Sequence, residues 1–276
     1  KSGLYVAATP IGNLSDFSPR AKAVLEAADA ILCEDTRVTK KLLSAFGISK
    51  PLLTLHEHNE DKAVPGLIKR LQGGETLALV SDAGTPLISD PGFLLVRAAQ
   101  EAGIPVIPIP GPSAAVAALM ASGLAPDKFL FAGFLPAKDG QRQKALEDLK
   151  AIPATLIFYE SPNRVVKTLG TMVRVFGPAR EAAMARELTK LHEEIIRKPL
   201  AELLDTLKER DSIKGEVVLL VGRGQEGEAP VDDAALEGVL KNLLKTMSVN
   251  DAAAALSKLT GKPKKDIYRR ALDLKK

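Results

Sequence analysis

Polar and small residues crowd the segment from Ser81 to Gly92, which follows the apolar run Leu77–Val80. The segment holds two Asp, two Ser, one Thr, two Gly and two Pro. Glycine lets the backbone approach a ligand closely, and proline fixes the path of the chain. A purely structural loop needs fewer hydrogen-bonding side chains, so this composition predicts contact with a ligand.

Two further polar turns, Thr9–Leu14 and Cys33–Arg37, also follow apolar runs. If these runs are parallel strands, their carboxyl ends meet at one edge of the sheet, where open α/β sheets bind ligands. Charged side chains of the turns are therefore candidates for a single cleft: Asp35, Arg37, Asp82 and Asp90. Helix capping would explain each Asp separately, but it does not explain why carboxylates occur together with an arginine.

Short β-rich runs alternate with helical stretches along most of the chain, a pattern typical of parallel sheets covered by helices. The predicted strands are 4–8, 30–33, 52–55, 77–81 and 105–109, then 129–134, 154–159, 181–185, 193–197 and 216–221. The predicted helices are 19–28, 37–46, 62–72 and 91–102, then 141–150, 162–175 and 199–210. Only one helix separates the last two strands, so we expect part of the second sheet to be mixed.

A proline-rich stretch at 108–112 interrupts the alternation and marks a domain boundary. We predict an α/β fold with an N-terminal domain at 1–111, a second α/β domain at 112–227 and a helical extension at 228–276. The extension has the outline of a helix-turn-helix, with helices at 233–246, from Ser248 to Leu259 and from Pro263 to Leu274.

The composition is that of a folded protein, since 46% of the 276 residues are hydrophobic and 26% are charged. Cys33 is the single cysteine, which excludes an internal disulfide and favours the cytoplasm. No apolar stretch approaches the ~18 residues that cross a bilayer, so we expect no membrane association.

The charge is distributed unevenly along the chain. Residues 241–276 carry 10 Lys or Arg against 3 Asp or Glu, whereas residues 1–240 carry a net charge of −3. This asymmetry predicts a polyanionic partner for the extension, and a solvated lysine-rich helix is the alternative.

Other motifs point to less specific roles. Gly222–Gly227 satisfies G-x-G-x-x-G, but Pro230 and acidic residues follow where a nucleotide loop must open directly into a helix. On a strand, His56 and His58 would share one face without a third ligand, so a polar loop is a better interpretation than a metal site. Cys33 lies between apolar residues and an acid, which favours a core residue over a nucleophile.

Taken in order, the motifs resemble the tetrapyrrole-methylase superfamily, and within it the bacterial methyltransferases that modify a cytidine 2′-hydroxyl in small-subunit ribosomal RNA. The resemblance spans Leu4 to Arg223 and rests on Ala8–Leu14, Glu34–Arg37, Ser81–Pro86, Asp90–Gly92, Pro110–Ala114, Gly133–Pro136 and Phe158–Arg164. Residues 233–276 resemble the variable helical extension of that family more weakly.

This resemblance implies two α/β domains with S-adenosylmethionine in the cleft between them, a homodimer, and 16S rRNA or the 30S subunit as partner. The implied donor contacts are Pro10, Ile11, Asp82, Gly84, Thr85, Pro86, Ile88, Ser113, Ala114, Tyr159, Ala185 and Gly215. Thr85 stands where relatives often have Asp.

Methyl transfer to a ribose hydroxyl is an in-line displacement, so positioning dominates catalysis and a carboxylate could accept the hydroxyl proton. The candidate carboxylates are Asp35, Asp82 and Glu160, with Asp35 first because the neighbouring Arg37 could hold a phosphate. We expect RNA contacts from Arg37, Arg164, Lys264, Lys265, Arg269 and Arg270. The departing thioether is neutral, so the reaction requires no metal. Two alternatives stay open, a methylase acting on a tetrapyrrole and a non-catalytic RNA-binding factor.

Overall fold

The computed structural model describes residues 1–224, 233–260 and 264–274. Within them lie two five-stranded sheets followed by a helical extension. No described helix is long and apolar enough to cross a membrane.

All strands of the first sheet are parallel, in the order β3-β2-β4-β1-β5. The strands are β1 (Gly3–Ala7), β2 (Ala30–Cys33), β3 (Leu52–Thr54), β4 (Thr76–Leu79) and β5 (Val106–Ile109). The helices between them are α1 (Pro19–Ala27), α2 (Thr36–Ala45), α3 (Glu60–Gln72) and α4 (Phe93–Glu101). Helices cover both faces, with Leu25 fully buried on one side and Leu95 on the other. The predicted strands and helices of this half are confirmed, within a few residues at their ends.

The second sheet is mixed, as predicted, in the order β6-β7-β10-β8-β9, and only β6 and β7 are parallel neighbours. Its strands are β6 (Phe129–Phe134), β7 (Thr155–Glu160), β8 (Glu181–Arg186), β9 (Glu194–Pro199) and β10 (Val217–Val221). The helices of this half are α5 (Ala114–Ser122), α6 (Asp139–Leu149), α7 (Val165–Phe176) and α8 (Leu200–Lys208).

Helix α5 covers one face of the second sheet, while α6, α7 and α8 cover the other. Ile11, from the loop after β1, packs into the same apolar cluster as α5, so the two sheets share buried contacts. The division into domains at residues 111 and 227 stays a prediction.

The extension contains α9 (Asp233–Leu243), α10 (Val249–Thr260) and α11 (Lys264–Asp273). Leu240, Ala252 and Ile267 bring the three helices around a small apolar core. Ser248 caps α10 as predicted, since its hydroxyl accepts a hydrogen bond from the amide of Asp251 at 3.2 Å. The predicted turn at 261–263, with Lys262, lies outside the described residues.

Candidate active site

A cavity of about 380 Å³ lies where the carboxyl edge of the first sheet meets the second sheet. The first half of the chain contributes Ile11, Ala83, Gly84, Thr85, Ile88, Ser89 and Asp90 to its wall. The second half contributes Ser113, Ala114, Phe134, Tyr159, Glu160, Ser161, Pro162, Gly215, Glu216, Val217 and Val218. This volume is within the range of small-molecule sites, about 300–1,000 Å³.

Hydrogen bonds tie the loops after β1, β4 and β5 together at the cavity. Thr9 and Gly84 exchange two backbone hydrogen bonds, at 2.8 and 3.1 Å. The Thr9 hydroxyl also donates to the Ser81 carbonyl at 3.2 Å, and the Thr85 hydroxyl donates to the Pro112 carbonyl at 3.0 Å. Because each loop is fixed to another, the cavity wall is preformed.

Gly84 lies at the point where a side chain would disturb this wall. Its φ of +83° is in the left-handed region that favours glycine. A Cβ atom at this position would lie 3.3 Å from Cγ2 of Ile11, which lines the same cavity. The glycine therefore allows the β4 loop to pass close to the β1 loop.

Most of the donor contacts implied by the resemblance come together in this cavity. Those on its wall are Ile11, Gly84, Thr85, Ile88, Ser113, Ala114, Tyr159 and Gly215. Pro10 and Asp82 line an adjoining pocket of about 240 Å³ instead. Pro86 is buried beside the wall, and Ala185 is buried in β8 opposite Val218. Their assignment to the donor stays a prediction.

Aromatic rings form one side of the cavity. The ring of Tyr159 makes edge contacts with those of Phe131 and Phe134, at centroid distances of 4.8 and 5.7 Å. Burial raises the pKa of Tyr159, and the charges of Asp90 and Glu216 act in the same direction. Phe134 is 58% exposed although it lines the cavity, so part of its side chain is accessible to a ligand. Sequence analysis did not assign Phe134, although it belongs to a motif on which the resemblance rests.

A second, more open pocket of about 510 Å³ adjoins the first along the edge of the sheet. Its lining is polar: Glu34, Asp35, Thr36, Arg37, Thr54, His56, His58 and Asp82. The two histidine rings lie 6.1 Å apart, and Nδ1 of His56 is buried without a hydrogen-bond partner. Among the described residues, no three His, Cys, Asp or Glu side chains are grouped as a metal ion would require.

Asp35 is the N-cap of α2 and the ion-pair partner of Arg37. Its Oδ1 accepts a hydrogen bond from the Arg37 amide at 2.8 Å, and both carboxylate oxygens accept from the guanidinium. These hydrogen bonds lower the pKa of Asp35 to about 2. Such a carboxylate binds protons weakly, so this environment disfavours Asp35 as a general base. Asp82 lies beside it, and its Oδ1 accepts from the Asp35 amide at 3.1 Å.

Glu160 has a fully buried side chain whose oxygens are already engaged. They accept hydrogen bonds from the Thr168 hydroxyl at 2.5 Å and from the Ser161 amide at 2.7 Å. Nε of Arg164 lies 3.3 Å from Oε1 of Glu160, and the same guanidinium donates to the Leu135 carbonyl. Through these contacts the two predicted site residues, Glu160 and Arg164, fix the loop after β7.

Asp90 combines a place on the cavity wall with an unusual environment. Burial raises its pKa to about 6, the charges of Glu34 and Asp82 add to the rise, and a hydrogen bond from Ser81 opposes it. The motif around Asp90 predicted a place in the cleft but no catalytic role. The pKa of Asp90 depends on side chains from other loops, which no local pattern reveals.

Basic side chains lie on two surfaces. Helix α2 exposes Arg37, Lys40 and Lys41, which line shallow pockets beside the polar one. In the extension, Lys264, Lys265 and Arg269 are exposed, and Nε of Arg270 lies 3.8 Å from Glu237. RNA contact by any of these residues stays a prediction.

Comparison with known families gives two matches along the chain. The model described as Tetrapyrrole (Corrin/Porphyrin) Methylases matches residues 3–204, and the one described as RsmI C-terminal HTH domain matches residues 230–275. The second description agrees with the predicted helix-turn-helix outline of the extension.

Several curated proteins named Ribosomal RNA small subunit methyltransferase I are similar over nearly their whole length. The one from Mesorhizobium japonicum is 52% identical, covering 99% of this chain and 92% of its own. The one from Pseudomonas aeruginosa is 50% identical, covering 98% and 96%, and the one from Escherichia coli O157:H7 is 48% identical, covering 98% and 94%.

Solved structures share the fold at low sequence identity. The methyltransferase CobJ aligns with a TM-score of 0.60 and 21% identity, over 81% of this chain and 95% of its own. A uroporphyrin-III C-methyltransferase from Thermus thermophilus, complexed with S-adenosyl homocysteine, aligns with a TM-score of 0.57 and 17% identity, over 79% and 96%.

Proposed function

The chain belongs to the tetrapyrrole (corrin/porphyrin) methylase family, and from its similarity to ribosomal RNA methyltransferases we propose that it methylates small-subunit ribosomal RNA at the 2′-hydroxyl of a cytidine. It is an S-adenosylmethionine-dependent methyltransferase. The observation that carries the proposed substrate is the 52% identity to a Ribosomal RNA small subunit methyltransferase I, which extends over both sheets and the extension.

The cavity between the sheets fits the methyl donor. Its wall is largely apolar, the backbone of Gly84 and Gly215 adopts positive φ angles, and Phe134 and Tyr159 offer aromatic surface. An adenine ring and an amino-acid chain need such a mixture of apolar contact and a few directed polar groups. When bound, S-adenosylmethionine supplies a methyl group activated by a sulfonium charge. The chain's part is to orient it and to keep water from the transferred group.

The polar pocket beside this cavity suits the acceptor. It is open to solvent and is bordered by the cations of α2. Asp82 on its wall directly precedes Ala83 on the wall of the donor cavity, so the two pockets are neighbours. Arg37 is 86% exposed even while it is paired with Asp35, so its outer face is accessible to a phosphate. A tetrapyrrole substrate would explain the cavities but not the basic extension.

The decisive experiment supplies labelled S-adenosylmethionine with three acceptors, 30S subunits that lack the modification, naked 16S rRNA and a porphyrin. We expect label in the subunit or its RNA, and ribose mapping should locate the methyl on the 2′-oxygen of one cytidine. Label in the porphyrin alone would contradict the proposal. Donor binding without transfer to any acceptor would favour a non-catalytic RNA-binding factor.

The proposal includes a homodimer. Val116 and Met120 lie one helical turn apart on α5 and are 45% and 82% exposed. We assign this exposed apolar face of α5 to contact with a second copy of the chain. Sedimentation should show a dimer that Met120→Glu dissociates, while Met247→Glu in the extension leaves it intact.

The proposal also includes the location of the enzyme. Because ribosomal RNA is its proposed substrate, we expect the enzyme in the bacterial cytoplasm.

A further inference from the structure

We propose that Asp90 accepts the proton of the acceptor hydroxyl during methyl transfer. The proposal rests on the proposed function, because it assumes a hydroxyl acceptor. It assigns a catalytic role that sequence analysis had given to Asp35, Asp82 or Glu160.

Asp90 lies on the wall of the donor cavity and interacts electrostatically with carboxylates of the polar pocket. Its neighbour Ser89 lines the same cavity. The charge of Asp90 interacts with those of Glu34 and Asp82, which line the polar pocket, and with Tyr159 across the cavity. A group that accepts the hydroxyl proton must lie at this junction, because the acceptor oxygen has to reach the methyl group from the polar side.

The loop that carries Asp90 has unusual backbone angles on both sides of this residue. Leu87 and Ser89 have φ angles of +72° and +67°, which non-glycine residues rarely adopt. Such conformations persist where the surrounding structure enforces them, and they concentrate at active sites. Gly92, the N-cap of α4, has a φ of +121°, and a Cβ there would collide with the side chain of Leu79. The loop is therefore held in one shape on both sides of Asp90.

The three carboxylates proposed from the sequence are less suited to accept a proton. Asp35 is bound to Arg37 through both oxygens, and those of Glu160 are occupied by Thr168 and Ser161. Asp82 accepts the Asp35 amide. Asp90, with a pKa of about 6, is ionised at neutral pH and still a stronger base than an ordinary carboxylate.

The step balances without a further reactant. The hydroxyl oxygen forms a bond to the methyl carbon while the carbon–sulfur bond breaks, and its electron pair stays on sulfur. The O–H proton passes to a carboxylate oxygen of Asp90. The positive sulfonium and the negative carboxylate thus become a neutral thioether and a neutral carboxylic acid, so the buried site loses both charges.

This role predicts a specific pH dependence. The titratable and charged groups that face Asp90 or share its cavity are Glu34, Asp82, Tyr159, Glu160 and Glu216. Because the pKa of Asp90 is raised, its carboxyl group is protonated below about pH 6 and cannot accept a proton. The single-turnover rate should rise with pH, bend near pH 6 and level off above it.

The test compares Asp90→Asn with Asp148→Asn, a matched change at an exposed position on α6. Both variants are checked for folding by thermal unfolding and for S-adenosylmethionine affinity by calorimetry. Single-turnover transfer to 30S subunits is then followed from pH 5 to pH 8.5. We expect Asp90→Asn to bind the donor normally, to transfer about 100-fold more slowly and to lose the inflection near pH 6. Asp148→Asn should match wild type in every measurement.

Asp90→Glu keeps the proposal testable if the asparagine variant is unstable, since it should retain an inflection and recover part of the rate. A folded Asp90→Asn with a rate near wild type and an unchanged inflection would overturn the proposal while leaving the proposed function intact. A rate loss explained wholly by weaker donor binding would do the same. Absence of transfer by the wild-type enzyme would overturn both, and the acceptor experiment above identifies that case.

Discussion

Replacing Gly84 by alanine tests whether the tied loops form the donor site. A non-glycine residue in the left-handed region costs about 1–2 kcal/mol, and the φ of +83° at Gly84 lies there. The new Cβ would also lie 3.3 Å from Cγ2 of Ile11, so this side chain must move by a few tenths of an ångström. Because Ile11 lines the donor cavity, we expect calorimetry to show about tenfold weaker S-adenosylmethionine binding, equivalent to about 1.4 kcal/mol.

Gly74→Ala is the matched control for this substitution. Gly74 has a φ of +92°, and a Cβ there would meet nothing within 4 Å. It precedes β4, whereas Gly84 follows that strand, so the control lies at the opposite edge of the sheet. Both variants should lose similar unfolding free energy, but only Gly84→Ala should lose donor affinity. Equal donor affinities in the two folded variants would refute the assignment of the cavity.

Three further changes probe the loop after β7, the acceptor pocket and the extension. Thr168→Val removes a hydrogen bond to the buried Glu160, so the unfolding free energy in urea should fall by about 1–3 kcal/mol. Arg37→Ala should raise the pKa of Asp35 from about 2 toward its ordinary value, measurable by NMR titration. It should also raise the RNA concentration for half-maximal rate by about two- to fivefold, while donor affinity is unchanged. Deleting 233–276 should leave donor binding intact and make log affinity for RNA less dependent on log salt, by about 0.7–0.9 per lost phosphate contact. A lower melting temperature with an unchanged salt slope would instead identify the extension as a structural cap.

The sequence is informative where local chemistry decides the structure. Alternating apolar runs and helix signals predicted both sheets, including the mixed character of the second. Polar turns after β1 and β4 predicted the edge at which Ile11, Gly84 and Thr85 meet, because parallel strands place their carboxyl ends together. These features depend on neighbours in the chain.

What the sequence could not predict depends on neighbours in space. Arg164 looks like an exposed cation in its motif, yet the burial of Glu160 draws its guanidinium inward. Asp35 and Asp90 look alike along the chain, but the ion pair with Arg37 lowers the pKa of Asp35 to about 2, whereas burial raises that of Asp90 to about 6. A carboxylate's surroundings in the fold, rather than its motif, set its chemistry.

The order of strands in the first sheet also determines how long each strand waits for its partner during synthesis. Within the described part of the chain, β1 pairs with β4 and β5, and Leu4 lies opposite Val106 of β5, about 100 residues later. At about 5–20 residues per second, a ribosome needs roughly 5–20 s to make that stretch. β4 is made before β5, since Leu4 also lies opposite Leu77, about 70 residues later. Until β4 has been made, the apolar side chains of β1 have no strand beside them, and the loop that carries Ile11 has no Gly84 to meet. β1 is thus the strand of the first sheet that waits longest for a partner during synthesis, and the donor can stabilise the chain only after β1 has paired.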